Sequence, residues 1–196
     1  CSKGVYVRTR AELEHACAAE TVGEALGVKE EAGAWIRLNP MDGKGIADQN
    51  VVDHRYALVE SDSLPVEQQW AILKRLRVPC ATVVHSGGKS LHAAVRISAG
   101  TDRPEYDRRV ARLYEVLEQE GMKVDRQNRN PSRLSRLPGV LRNGQAQYLI
   151  ATSIGCSSWE EWIEHIESGD TPMPESWQIL RRNPPPLAPE IIHGIL

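Results

Sequence analysis

The chain has 196 residues, 41% hydrophobic and 26% charged, an ordinary globular composition that excludes a disordered or fibrous protein. Its net charge of -2 argues against a protein that coats nucleic acid without specificity, although a local basic site is compatible with that total. No apolar run approaches the roughly 18 residues of a spanning helix and no signal-peptide pattern opens the chain, so we expect a soluble cytoplasmic protein with no membrane partner.

The first predicted elements are a helix over 10–20 and a strand over 34–38, which belong to an N-terminal α/β extension. A buried strand over 55–61 leads into a helix over 65–77 that begins at Pro65 and stops before Pro79. Two further strands, over 80–85 and 91–97, are separated by a loop of turn-forming residues. This arrangement predicts a hairpin.

A second long helix follows, with Thr101 or Asp102 as its cap and Gly121 at its end. Further predictions are a short strand over 123–125, a strand over 148–152 and an acidic helix over 158–167. The order strand, helix, strand, strand, helix, strand is typical of a ferredoxin-like, RNA-recognition-type sheet with both helices on one face. The predicted fold class is therefore α+β, with a βαββαβ core.

These elements predict one domain over 1–182. It contains the extension over about 1–53, the core over about 54–155 and an acidic helical tail over about 156–182. The Pro-rich sequence near its end predicts a linker over 183–196 to a further C-terminal region, and the start at Cys1 also suggests a segment of a larger polypeptide. The four cysteines are far apart with no CxxC pair, so we expect free thiols.

Two acids mark the end of the first core strand. Glu60 and Asp62 are two residues apart, so their side chains are expected on the same face of the pleat, away from the helices. A cation would relieve the repulsion between these carboxylates. The alternative is a surface turn in which Asp62 or Ser63 caps the next helix.

The hairpin is expected to place cations on that same open face. Every second residue from Leu91 to Ile97 is apolar, so His92 and Arg96 share the opposite face. A His and an Arg beside paired carboxylates predict a triphosphate site, with cations for the phosphates and carboxylates for the metals.

The hairpin loop is Ser86-Gly87-Gly88-Lys89-Ser90. It is not a P-loop, because Val83 stands where that motif needs its first glycine and because a strand follows the loop. Its backbone N–H groups and Lys89 are still candidates to hold phosphate oxygens. A plain hairpin turn is the alternative.

The segment 123–142 is the basic patch that the overall charge conceals. It contains six Lys or Arg residues and one acid, for a net charge of +5, with Asn, Gln and Ser between them. This composition suits a phosphate backbone. The alternative is a solvated loop paired with the acidic tail helix.

Three motifs in this order resemble the archaeo-eukaryotic primase superfamily, in particular its bacterial, phage and plasmid primase-polymerases. Glu60-Ser61-Asp62 resembles the first motif, a strand ending in two acids. The segment 86–92, which ends in His92, resembles the second, and Val124-Asp125 resembles the third. The resemblance covers roughly 35–152.

This resemblance implies that Glu60, Asp62 and Asp125 are the catalytic, metal-binding residues for two Mg²⁺ or Mn²⁺ ions. The nucleotide-binding residues are expected to be Ser86, Gly87, Lys89, Ser90, His92 and Arg96. The template-binding residues are expected to be Arg126, Arg129, Arg133 and Arg136. Glu60 departs from many members, which have Asp there, and no zinc-binding Cys or His cluster is readable.

The predicted function is template-directed nucleotidyl transfer by a DNA primase-polymerase of a phage, plasmid or mobile element. Its partners would be single-stranded DNA template and primer, nucleoside triphosphates, and a helicase domain or protein. One alternative is a non-catalytic RNA-recognition-type module, although such modules stack bases on aromatics and Tyr56 is the only obvious candidate on these strands. Another is a rolling-circle replication endonuclease, whose His-hydrophobic-His motif is absent from the sequence.

Overall fold

The computed structural model describes residues 9–18, 23, 27, 29 and 31–169, so the predicted linker over 183–196 and the end of the acidic tail lie outside the described residues. The helices are α1 (Arg10–Ala18), α2 (Val66–Arg75), α3 (Arg103–Gln119) and α4 (Trp159–Glu167), with 3-10 turns at Asp48–Asn50 and Arg126–Arg129. The strands are β1 (Trp35–Arg37), β2 (His54–Val59), β3 (Cys80–His85), β4 (Leu91–Gly100), β5 (Leu134–Arg136), β6 (Val140–Arg142) and β7 (Gln145–Ile154). None of the described helices is long and apolar enough to cross a membrane.

The local signals in the sequence set the main helices and the hairpin. Asp102 caps α3 by accepting a hydrogen bond from the Glu105 N–H at 2.9 Å, and α2 begins directly after Pro65. β3 and β4 pair antiparallel around the glycine-containing loop, as predicted. Ser158 caps α4 in the same way as Asp102 caps α3.

The main sheet is antiparallel and has the strand order β2-β4-β3-β7-β6, while β1 and β5 form a separate two-stranded sheet. The fold is therefore mixed α+β, and β4 lies between β2 and β3. The predicted fourth strand over 123–125 is wrong, because these residues have no strand structure. Asp125 instead caps the 3-10 turn that follows it.

One face of the main sheet packs against the helices. Ala57 and Val59 of β2 and the alternate residues of β4 from Leu91 to Ile97 are buried in the core, as the pattern predicted. The same core contains Leu73 of α2 and the apolar stripe of α3. This burial is the main driving force for assembling the fold.

The opposite face was predicted to be open, and the structure corrects this. Leu58, His92 and Ala94 on that face are each 5% exposed or less. β5 packs beside β4, and the backbone N–H of Arg136 lies 3.4 Å from Nδ1 of His92. The covered face disfavours an RNA-recognition-type module, which needs exposed aromatic rings on its sheet.

Side chains satisfy much of the outer edge of β2. The buried Asn39 accepts from the N–H groups of Arg55 and Tyr56, each at 2.8 Å, and donates to the Tyr56 carbonyl at 2.8 Å. The Tyr114 hydroxyl donates to the Leu58 carbonyl at 2.8 Å. The Asp125 N–H then donates to the Glu60 carbonyl at 2.8 Å, just beyond the end of the strand.

Candidate active site

Glu60 is the centre of the candidate site and follows the last residue of β2. Its Oε1 accepts from the Ser90 hydroxyl at 3.0 Å and lies 3.1 Å from Nε2 of His92, while its Oε2 accepts from the Asn128 amide at 3.0 Å. Burial opposes ionisation, but these partners, led by His92, lower the pKa of Glu60 to about 2. Glu60 is therefore a shielded carboxylate that is negatively charged at neutral pH.

Asp125 lies beside Glu60. The Asn128 amide that binds Glu60 also lies 3.3 Å from Oδ2 of Asp125, so one nitrogen bridges the two carboxylates. The Gln127 N–H donates to Oδ1 of Asp125 at 2.9 Å. The structure thus brings the first and third sequence motifs together, and Asn128 is the side chain that links them.

Asp62 lies in the loop beyond the end of β2. β2 ends at Val59, so the alternation that would place Glu60 and Asp62 on one face does not extend to them. The Asp62 side chain is 60% exposed, and its Oδ1 lies 3.8 Å from Nζ of Lys89. The alternative capping role is also wrong, because the N-cap of α2 is Pro65, with no side-chain cap.

Of the three predicted metal ligands, Glu60 and Asp125 are linked through Asn128, while Asp62 contacts Lys89. Across the part of the chain that the structure describes, no three His, Cys, Asp or Glu side chains are grouped closely enough to hold an ion. The donor type still suits Mg²⁺ or Mn²⁺, which prefer carboxylate oxygens, and Asp62 is accessible to solvent. The shared metal site remains a prediction.

The serines of the hairpin loop face inward. The Ser90 hydroxyl contacts Glu60 and lies 3.2 Å from the Ser86 hydroxyl, and both serines are buried. Gly87 has a φ of +68°, and a Cβ there would lie 3.1 Å from the Gln145 carbonyl, so this position favours glycine. The Gly87 N–H donates to Nδ1 of His85 at 3.2 Å, so this backbone group already has a partner. Lys89 is the exposed cation of the loop.

Only one of the two predicted basic residues on β4 lies at the site. His92 contacts Glu60, whereas Arg96 lies four residues farther along β4, or about 13 Å in an extended strand. Arg96 donates to the Cys80 carbonyl at 2.8 Å and to the Ser153 hydroxyl at 2.9 Å. The structure does not bring Arg96 to the carboxylates.

The predicted template-binding arginines separate into different environments. Arg126 forms an ion pair with Glu118 of α3, Arg129 is exposed, and Arg133 donates to the Asn128 side chain. The acidic tail helix does not neutralise this segment through Glu160 and Glu161, because those residues pair with Arg109 and Arg77.

Arg136 and Arg142 form the basic side of the site. The Arg136 guanidinium lies 4.1 Å from the centre of the Trp35 ring, in a cation–π contact. Burial and the charge of Arg142 lower the pKa of Arg136 to about 10, while Glu60 acts in the opposite direction. Arg136 thus stays cationic at neutral pH, and neither arginine has an ion-pair partner among the described residues.

The N-terminal extension holds the basic segment in place through Asp48. Oδ1 of Asp48 accepts from the Ser132 hydroxyl at 2.5 Å and from the Asn130 amide at 3.2 Å, and Oδ2 accepts from Arg103 at 3.3 Å. Burial opposes ionisation, but the bonds from Ser132 and Asn130 lower the pKa of Asp48. This acid therefore joins the extension, the basic segment and α3.

Sequence reasoning missed Asn128, Arg142 and Gln69. Gln69 had a readable signal, because it occupies the buried helical position between Val66 and Leu73. Asn128 and Arg142 had no such signal in the sequence. Asn128 contacts Glu60 and Arg142 contacts the hairpin loop, and both partners are far away along the chain. Lys89 belongs to this loop, and the Arg142 guanidinium lies close to it, because a Cβ on Gly88 would be 3.4 Å from an Arg142 nitrogen.

No protein-family model matches this sequence, and no curated protein shows significant sequence similarity to it. Among solved structures, the AEP domain of the primase-polymerase (PrimPol) of cyanophage S-2L is similar, with a TM-score of 0.54 and 21% sequence identity. The match covers 67% of this chain and 69% of that chain. The likeness shows that the two chains have related folds.

Proposed function

We propose that this chain is a template-directed nucleotidyltransferase, a DNA primase-polymerase that forms phosphodiester bonds from nucleoside triphosphates. The observation that carries the proposal is the contact of Glu60 with Ser90, His92 and the Asn128 that also binds Asp125. It gathers three separate sequence motifs in a fold similar to a phage primase-polymerase domain.

Glu60, Asp62 and Asp125 are the proposed ligands of two Mg²⁺ or Mn²⁺ ions. When bound, such ions neutralise charge on the leaving pyrophosphate and make the primer 3'-hydroxyl more nucleophilic. The hydrogen bonds around Glu60 keep it ionised and hold it next to Asp125. Asp62 contributes an accessible carboxylate whose present partner, Lys89, is itself a candidate phosphate ligand.

The cations around the acids suit a nucleoside triphosphate. Lys89 is 74% exposed, and Arg136 and Arg142 lack carboxylate partners among the described residues. Guanidinium groups bind phosphate oxygens through paired hydrogen bonds. The exposed Arg129 is the proposed contact for the backbone of a single-stranded DNA template, in replication of a phage, plasmid or mobile element.

The test is extension of a labelled primer on single-stranded DNA with Mn²⁺, with the wild type, Asp62→Ala and Asp107→Ala compared. Asp107 is a matched control, because it is an exposed aspartate paired with Arg103 on α3. We expect Asp62→Ala to lose at least about 10²-fold in rate, as when a group that stabilises transition-state charge is removed. A folded Asp62→Ala variant that extends primers like the control would refute the proposal.

A further inference from the structure

Gln69 connects two loops of the candidate site from the helix side. Its side chain is fully buried, on the face of α2 that meets the sheet. Its Nε2 donates to the Ser61 carbonyl at 2.9 Å and the Leu64 carbonyl at 2.7 Å, and lies 3.4 Å from the Lys89 carbonyl. Its Oε1 accepts from the Leu91 N–H at 3.0 Å.

These bonds reach the central residues of two short segments, the acid tripeptide (residues 60–62) and the serine-histidine tripeptide (residues 90–92). Ser61 is the middle of the first and Leu91 is the middle of the second. A single amide group therefore connects the backbone between the two acids of the acid tripeptide to the backbone between Ser90 and His92. The bonds involve main-chain atoms, so side-chain rotation within either tripeptide does not release them.

The burial of Gln69 indicates that these bonds matter. A buried side-chain amide destabilises a fold unless its donors and acceptor are paired, and Gln69 uses its amide hydrogens and its oxygen. An apolar residue at this position would leave the Leu91 N–H and the Ser61 carbonyl without this partner. The amide thus fixes the separation of the two segments, and the Leu91 that it binds lies 22 residues beyond Gln69 along the chain.

We propose that Gln69 is a positioning residue, which sets the register between the acid tripeptide and the serine-histidine tripeptide and so aligns the bound triphosphate with the carboxylates. This inference rests on the proposed nucleotidyl transfer. Gln69 touches neither substrate nor metal in this role. It acts through the backbone that carries Glu60, Asp62 and His92.

Positioning has a kinetic signature that a purely structural role lacks. The groups that face the nucleotide remain chemically intact when Gln69 is changed, so the KM for the nucleotide should move little. Nucleotidyl transfer needs the reacting atoms in line, and a displacement of about 1 Å lowers rates by about 10²-fold. The loss should therefore appear in kcat.

The experiment compares Gln69→Met with Gln68→Met in primer extension. Methionine matches the length of glutamine without its hydrogen-bonding groups, and Gln68 is a partly buried neighbour on the same helix. We expect Gln69→Met to lower kcat about 10- to 100-fold with the KM for the nucleotide within about threefold of wild type, while Gln68→Met changes neither. Unchanged kcat in folded Gln69→Met would overturn the inference.

Amide hydrogen exchange at Leu91 tests the hydrogen bond from its N–H to Gln69 without a measurement of enzymatic activity. Gln69→Met should lose protection at Leu91 and retain it at Ala93, whose neighbours in the ladder are unchanged. If the wild type does not extend primers, the proposed function fails. Retained protection at Leu91 in Gln69→Met would separately overturn the role of Gln69 in holding Leu91. If Gln69→Met does not fold, Gln69→Glu keeps the length and an acceptor for Leu91, and unchanged kcat in that variant would overturn the inference.

Discussion

Nε2 of His92 lies 3.1 Å from Oε1 of Glu60, and the side chains are only 6% and 17% exposed. His92, which was predicted to hold a triphosphate, therefore contacts a partly buried carboxylate. A phosphate that binds Nε2 of His92 must share that atom with Glu60 or displace it. This contact links nucleotide binding to the position of an acid that is a proposed metal ligand.

His92→Ala should lower both stability and nucleotide binding. Removing the imidazole leaves Glu60 buried with fewer partners, which is expected to reduce the free energy of unfolding by about 1–3 kcal/mol. Urea denaturation would measure that loss, and titration with a nucleoside triphosphate would measure affinity. An unchanged unfolding free energy would contradict the role of His92 in holding Glu60.

Lys89→Ala should weaken nucleotide binding without lowering the stability of the fold. The ion pair of Lys89 with Asp62 is exposed on both sides, and such pairs contribute only about 0–1 kcal/mol. We expect a nearly unchanged midpoint of denaturation and a higher KM for the nucleotide. Arg96→Ala is the control, because Arg96 binds Cys80 and Ser153 away from the acids, so its KM should stay at the wild-type value.

Asp48→Ala should loosen the basic segment. The change leaves Ser132, Asn130 and Arg103 without a shared partner, and we expect a loss of about 1–3 kcal/mol in unfolding free energy. Tryptic cleavage after Arg129 and Arg133 should also become faster. The control is Asp53→Ala, which breaks an exposed pair with Arg55. Equal cleavage rates in the two variants would show that Asp48 does not hold the segment.

Glu105 gives a prediction for acid stability. Hydrogen bonds from Arg108 and Arg109 lower the pKa of Glu105 from 4.5 to about 2. Because the folded-state pKa is depressed, the stabilisation is present above about pH 4.5 and is lost as the pH falls towards 2. The difference in Tm between wild type and Glu105→Gln should therefore shrink over that range. A difference that stays constant with pH would contradict this contribution.

The sequence was sufficient for the elements that depend on local signals. Pro65 and Asp102 mark where α2 and α3 begin, and the alternation after Leu91 identified which face of β4 packs against the helices. These features arise within a few residues of the chain, so a pattern is able to predict them.

The remaining features depend on contacts between distant residues. The face that carries His92 was expected to be open, but β1 pairs with β5, about 100 residues away, and β5 packs over it. Asp62 was expected beside Glu60 because the strand was extended two residues too far. The loop conformation after Val59 depends on Gln69 and Lys123, which bind the backbone and hydroxyl of Ser61.

The side chains along the outer edge of β2 also affect how the protein behaves at high concentration. An exposed row of unpaired N–H and C=O groups invites edge-to-edge pairing with another chain and aggregation. Asn39 and Tyr114 occupy several of these groups on β2, and Asp125 occupies the Glu60 carbonyl. The strand that leads to the acids is thereby shielded from intermolecular strand addition without needing a further strand beside it.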